Sequence, residues 1–350
     1  MIYCLGNDLL DELASTTKQI EYDEHLAYEL IRIIESNNNC LLAQSNKILN
    51  LFKEINNNGY VSENMKKAVH YCYNSFTTMY GIKNSVNNIV IITSDICKKE
   101  DSRIYLSGKY IKEHNLSLSS RIVLLTEDVS DCEFYESLCK KIINNRLNVM
   151  FRHVSGGGTE INKNLSMSVV HNRDIVYAIC DSDKYHPDDE VGDTAKKLMT
   201  VVNQLESQGY YYTGYEVLEV SEKENLIKPT EYGKYLGNSI ILKDLSDIEV
   251  DEDVKYYLDF FDYKAGLTKS VYEKHPEFYN KLLNKLSIDT DKVEAMHGKE
   301  AIIKGLGRTC LKKWNSECLD IGKSKFDENR LNLAKNIFSW GVSVQMQKVV

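Results

Sequence analysis

The chain has 350 residues, room for two domains of ordinary size. Its 43 Lys and Arg against 51 Asp and Glu give a net charge of −8, which excludes a generally basic nucleic-acid coat protein but not a local basic groove. Hydrophobic residues at 43% and charged residues at 27%, with 3 Pro and 18 Gly, exclude disordered, Pro-rich and collagen-like chains.

The longest apolar runs, near Ile89–Ile92 and Ile122–Leu125, are far too short for a membrane span. The opening segment has no basic stretch and carries acids early, so no secretory signal is expected and the reading is cytoplasmic. The 9 Cys form no CxxC and scatter through hydrophobic segments. They read as reduced thiols, not as a disulfide framework or a structural zinc site.

In chain order, Met1–Leu5 predicts a strand. Asp23–Glu35 places Leu26, Leu30, Ile33 and Ile34 at helical spacing. Cys40–Ala43 predicts a strand, followed by a helix with Ile48, Leu51, Phe52 and Ile55 on one side. Ser62–Tyr80 predicts another helix, and Asn88–Thr93 a buried, β-branched strand. Lys98–Ser120 is polar and weakly patterned, so a domain boundary is expected near residue 115. Arg121–Thr126 predicts a strand. A helix then starts at Ser130, with Ser130 and Glu133 at capping-box spacing. Asn148–Val154 predicts a second strand closed by Gly156-Gly157-Gly158, and Asp174–Cys180 a third. Thr194–Ser207 predicts a helix, Tyr215–Val220 a fourth strand, and the chain from about Thr230 is mostly helical in pattern. Strands alternating with helices predict an α/β fold with a parallel sheet flanked by helices. The expected domains are 1–115, a small α/β domain, and 116–350.

Three of the four strands of the second segment end in carboxylates. Glu127, Asp128 and Asp131 follow the first, Asp181 and Asp183 the third, Glu222 and Glu224 the fourth. Open parallel sheets bind ligands at the carboxyl ends of their strands. In an extended segment Asp181 and Asp183 project to the same side. Hard oxygen donors in this number suit Mg²⁺ or Mn²⁺. Two such ions about 3.5–4 Å apart support phosphodiester cleavage. Taken singly, an Asp-x-Asp after a strand is a solvated turn, and Glu127 with Asp131 is helix capping.

These residues reach a family. Leu124–Tyr135 resembles the "VEGxxDxxFY" opening of TOPRIM domains, narrowly those of the OLD-type nucleases and a related group found in anti-phage defence systems. Asp181-Ser182-Asp183 resembles the family's DxD strand end, and Glu222-Lys223-Glu224-Asn225 its E-x-E-N element. Gly298-Lys299-Glu300 resembles its later GK(D/E) element, which opens a helix. The likeness covers about residues 120–315. The family's Gly after the first Glu is Asp128 here, which leaves the metal arrangement open. The resemblance implies a TOPRIM-type α/β fold and a metal-dependent nucleic-acid endonuclease, the toxic effector of a bacterial anti-phage system triggered by a partner. It implies Glu127 as acid/base or first ligand, and Asp131, Asp181, Asp183 and Glu224 as further ligands of two Mg²⁺ or Mn²⁺ ions. Lys299 would neutralise charge on phosphate. The alternative is an inactive TOPRIM scaffold that binds an ATPase or a phage protein.

Lys304, Arg308 and Lys312 recur at spacing four and predict a basic helix face, either for a phosphate backbone or simply solvated. Gly156-Gly157-Gly158 reads equally as a phosphate-binding nest or a flexible turn. Tyr210-Tyr211-Tyr212 and Tyr215 read as core and rim, with base stacking as the functional alternative. His297 reads as a capping or surface residue. No Walker A spacing occurs, so an ATPase or sensor would be a separate subunit. The partners expected are nucleic acid, that subunit and a second copy of the chain. The first domain, with Asn7-Asp8 and Asp95 after strands, weakly resembles a PIN-like nuclease domain and reads as an interaction module.

Overall fold

The computed structural model describes residues 1–15, 23–143, 147–236, 239–307 and 328–346. It is a mixed α/β protein dominated by parallel strands with helices packed on them. The chain divides into two compact units. One holds Met1–Ile179, Leu198–Glu216 and Leu331–Val350; the other holds Cys180–Lys197 and Val217–Arg330.

The first unit contains two sheets. In the N-terminal one, β1 (Ile2–Leu5), β2 (Cys40–Ala43), β3 (Ile89–Thr93), β4 (Lys98–Glu100) and β5 (Arg103–Ser107) lie in the order β2-β1-β3-β5-β4. All pairings are parallel except β4 with β5. β1 and β2 are buried throughout, the pattern of strands covered on both faces. α1 (Asn7–Ser15) and α2 (Asp23–Ser36) connect β1 to β2, α3 (Lys47–Glu54) and α4 (Glu63–Met79) connect β2 to β3, and α5 (Gly108–Glu113) follows β5. On α2, Leu26, Leu30 and Ile33 are buried while Tyr28 faces solvent, as helical spacing requires.

The second sheet has the order β10-β9-β6-β8. β6 (Val123–Thr126) pairs in parallel with β8 (Arg152–Ser155) and with β9 (Val176–Cys180). β10 (Thr213–Val217) flanks β9. α6 (Val129–Ile142), α7 (Ile161–Ser166) and α8 (Asp193–Ser207) lie between these strands in sequence. Leu198, Val202 and Leu205 of α8 are buried, each such side chain contributing about 1.5–3 kcal/mol.

Several expectations shift. The strand expected over Asn148–Val154 breaks in two. β7 (Leu147–Val149) pairs with β13 (Val342–Met346), and β8 alone joins β6. Met150 N donates to Gly341 O at the break. The polar stretch before residue 120 holds β4, β5 and α5. It was weakly patterned because β4 is a charged edge strand. No unit boundary falls near residue 115. Leu118 N donates to the Glu29 carboxylate, and the Asn39 amide reaches Leu118 O and Ser120 O, which fastens residues on both sides of that point into one unit.

The second unit is mostly helical: α9 (Pro229–Leu236), α10 (Ile240–Glu249), α11 (Lys269–Tyr272), α12 (Pro276–Lys285) and α13 (Thr290–Glu294). An antiparallel pair, β11 (Gly266–Thr268) with β12 (Ala301–Lys304), interrupts them. α14 (Glu328–Gly341) starts in this unit and ends in the first. Among the described residues no helix is long and apolar enough to cross a membrane, and Cys4, Cys40, Cys72, Cys97, Cys132, Cys139 and Cys180 are free thiols.

Candidate functional site

In the first unit, β6 is buried along its whole length and hands over to Glu127, which is partly buried. The helix that follows begins two residues earlier than the spacing of Ser130 and Glu133 predicts. Asp128 is the N-cap and accepts from Ser130 N at 2.9 Å, while the Asp131 carboxylate accepts from Asp128 N at 3.2 Å. This reciprocal cap satisfies donors that a helix start leaves orphaned. Asp128, standing where the TOPRIM pattern has Gly, is therefore a capping residue, and Asp131 is buried as its counterpart.

The Gly triplet is a turn and not a phosphate nest, because the chain itself uses its amides. Gly156 N donates to Thr126 O at 2.6 Å, Gly157 N to Ser155 Oγ at 3.3 Å and Gly158 N to Glu127 O at 3.2 Å. Ser155 Oγ also donates to Glu127 O at 3.2 Å, so the loop after β8 clamps the Glu127 peptide. A Cβ at Gly156 would lie 2.6 Å from Ile161 and 2.8 Å from Thr126 O. Gly157 and Gly158 have φ of 70° and 59°.

In the second unit, the DxD segment is not extended. Asp183 sits at φ 55°, in the left-handed region, so the strand rule that sends both carboxylates to one side does not apply. The turn is tied firmly. Ser182 N and Asp183 N both donate to Ser221 O at 3.0 Å, Ser182 Oγ donates to Val220 O at 2.7 Å, and Gly192 N donates to Ser182 O at 2.8 Å. A Cβ at Gly192 would run into the Asp183 carboxylate. Asp181 Oδ1 accepts from Lys223 N at 3.0 Å.

Lys223 opens a short 3₁₀ turn, Lys223–Leu226, capped by Glu222 and Asn225. Asn225 donates to Leu258 O at 2.7 Å and Phe261 O at 2.8 Å, which anchors the turn in the core. Glu222 and Glu224 then meet on one ammonium. Lys264 Nζ lies 2.8 Å from Glu222 Oε2 and 3.3 Å from Glu224 Oε1. Glu224 is 6% exposed, and its Oε2 is buried without a hydrogen-bond partner among the described residues. Burial pushes the Glu222 carboxyl above the usual carboxylate range, with Lys264 acting against it. Asp183 is raised as well, desolvation again leading although its side chain keeps contact with solvent. For Lys264, burial favours the neutral form, but Glu224 and Glu222 outweigh it and hold the ammonium above the usual lysine range. Nothing in the local pattern Asp262-Tyr263-Lys264-Ala265-Gly266 marks Lys264 in sequence.

The structure thus gathers Glu222, Glu224 and Lys264, with Asp183 inside the lysine's field. Glu127 and Asp131 belong to the first unit, and Asp181, Asp183 and Glu224 to the second. Among the described residues no group of three or more His, Cys, Asp or Glu side chains gathers as a metal cage. Lys299 is exposed in a turn closed by Glu300 N to His297 O at 2.8 Å, and strand β12 follows it, not the expected helix. His297 is an exposed member of the same turn. Lys304 is paired opposite Gly266 at the end of β12, so it heads no helical face; Arg308 and Lys312 lie outside the described residues.

Tyr212 is fully buried and packs edge-on with Tyr210 and Tyr110, as core and rim. In the N-terminal sheet, Asp8 accepts from Ser94 N at 2.9 Å and Ser94 Oγ at 3.0 Å, and Asn7 accepts from Ser45 Oγ at 2.5 Å. These groups lock strand ends together. Compared with protein-family models, with curated proteins and with solved structures, the chain finds no match.

Proposed function

We propose that the chain is a TOPRIM-type, metal-dependent endonuclease that hydrolyses phosphodiester bonds in nucleic acid. The observation that supports this reading is the parallel pairing of β6 with β8 and β9, which leaves Glu127 at the carboxyl end of β6, the end at which open parallel sheets bind ligands. Glu127 in the first unit and, separately, Asp181 and Asp183 in the second are the residues that would hold Mg²⁺ or Mn²⁺. The bound ion would activate water and stabilise charge on the phosphate oxygens. Glu127, its peptide clamped by Ser155 and Gly158, serves as acid/base. The biological role is that of an anti-phage effector, toxic once a partner triggers it, with low activity when alone.

One observation favours a second reading. Asp128 and Asp131 are engaged in capping and Glu222 with Glu224 in an ion pair, as an inactive scaffold that binds an ATPase or phage protein would have them. The test is to assay cleavage of plasmid, single-stranded DNA and tRNA with Mg²⁺ and Mn²⁺, alone and with the adjacent operon product and a phage trigger. Cleavage that Glu127→Ala abolishes without unfolding supports the nuclease. No cleavage under any condition, with partner binding intact, supports the scaffold.

A further inference from the structure

The carboxylates of Glu222 and Glu224 converge on a point where a second divalent ion would be expected, yet that point already holds a charge. We infer that Lys264 is the resident cation of this pair, so that Glu222 and Glu224 bind no metal ion. The inference rests on the nuclease reading.

Three observations carry it. First, the ammonium bridges both side chains, 2.8 Å from Glu222 and 3.3 Å from Glu224. One compact cation bridges two carboxylates whose mutual repulsion would otherwise be severe in a buried setting, and leaves Glu224 Oε2 without a hydrogen-bond partner among the described residues.

Second, Lys264 is not a surface side chain that wandered in. The Asp262 carboxylate accepts from Lys264 N at 2.7 Å and Ala265 N at 2.8 Å, fixing the turn. Gly307 N donates to Lys264 O at 3.2 Å, and a Cβ at Gly305 would lie 2.7 Å from that same carbonyl. The backbone is therefore held by the strand ends of β11 and β12, which sets where the ammonium can reach.

Third, the carboxylates are as fixed as the lysine. Glu222 caps the 3₁₀ turn, and Asn225 anchors that turn to Leu258 O and Phe261 O. Glu224 follows in the same turn, nine-tenths buried. A divalent ion placed between them would face a monovalent cation at contact distance.

The experiment counts ions on the full-length chain. Mn²⁺ binding is followed by electron paramagnetic resonance and by calorimetry, with thermal melting to verify folding. The reference is the number of Mn²⁺ ions that wild type binds. Glu224→Gln is expected to keep that number and to change the affinity less than threefold. Lys264→Met is expected to gain one Mn²⁺ over wild type, and Lys264→Arg none. The Glu224→Gln measurement decides the matter even where the methionine variant fails to fold. Loss of an ion in Glu224→Gln, or no gain in a folded Lys264→Met, overturns the inference and leaves the nuclease reading standing. No Mn²⁺ on wild type overturns both.

Discussion

Arg330 meets Glu231 in a bidentate pair, Nη1 to Oε1 at 3.1 Å and Nη2 to Oε2 at 2.7 Å, with both residues at most 4% exposed. The pair joins the first turn of α14 to α9, and Glu231 also accepts from Lys228 N at 2.7 Å. Removing one partner leaves a buried, uncompensated charge. Arg330→Met is therefore expected to cost about 3–5 kcal/mol, whereas Arg330→Met with Glu231→Leu recovers most of the loss. Urea midpoints of the three proteins check this. A single variant as stable as wild type would mean that the pair carries little of this unit's stability.

The Gly156 turn gives a second expectation. Ala at 156 must push both Ile161 and the Thr126 carbonyl, and the latter is backbone. Gly156→Ala should lose about 1–3 kcal/mol by overpacking. Because the same loop clamps the Glu127 peptide, the proposed cleavage should fall further than stability alone accounts for, measured well below the melting temperature. Unchanged melting and unchanged cleavage would mean that the loop does not hold Glu127 in place.

How far the sequence carried these conclusions depends on the element. Strands such as Val176–Cys180 were legible because both faces are covered, which writes the strand as a continuous apolar run. The helix face Leu26, Leu30, Ile33 was legible by period. β4 was not, since Lys98-Lys99-Glu100 is a charged edge strand with no apolar signature. At the site, the carboxylates were visible as residues at strand ends, but their conformations were not. Asp183 turns left-handed because Ser182 N and Asp183 N share the Ser221 carbonyl, a contact made from 39 residues away for Ser182. Lys264 was invisible for the same reason: it reaches Glu222 from 42 residues away.

The thiols allow a pH prediction that does not involve the site. Burial pushes Cys4 and Cys40 up to about 11 from an ordinary 9.0. A pKa raised on folding means that the folded state favours the protonated thiol. The associated stability is complete below pH 9 and is lost as pH rises toward 11. At pH 10.5 the loss should be on the order of 1–2 kcal/mol per thiol. Urea midpoints at pH 8 and 10.5 should therefore fall less for the double variant Cys4→Ala/Cys40→Ala than for wild type. At pH 8 the same two thiols should resist iodoacetamide until urea exposes them. Parallel alkaline losses in both proteins would show that these cysteines do not titrate as described.

Asp183 separates backbone geometry from charge. Its φ of 55° costs about 1–2 kcal/mol for most L-residues, but Asp and Asn tolerate it because their short polar side chains hydrogen-bond locally. Asp183→Asn keeps both the shape and that tolerance, and removes only the carboxylate. It should melt within a degree or two of wild type and yet lose metal-dependent cleavage and weaken Mn²⁺ binding. Asp183→Val also removes the carboxylate but adds a β-branched side chain where the backbone is left-handed, packed against Gly192. It should lose cleavage too, and in addition about 1–2 kcal/mol or more of stability. The measurements are thermal melts, Mn²⁺ titrations and plasmid cleavage on the same preparations. Equal stability of the two variants would mean that the turn relaxes and that φ at this position is not constrained. Full cleavage by Asp183→Asn would remove Asp183 from the ion's ligands and return the DxD segment to a structural turn.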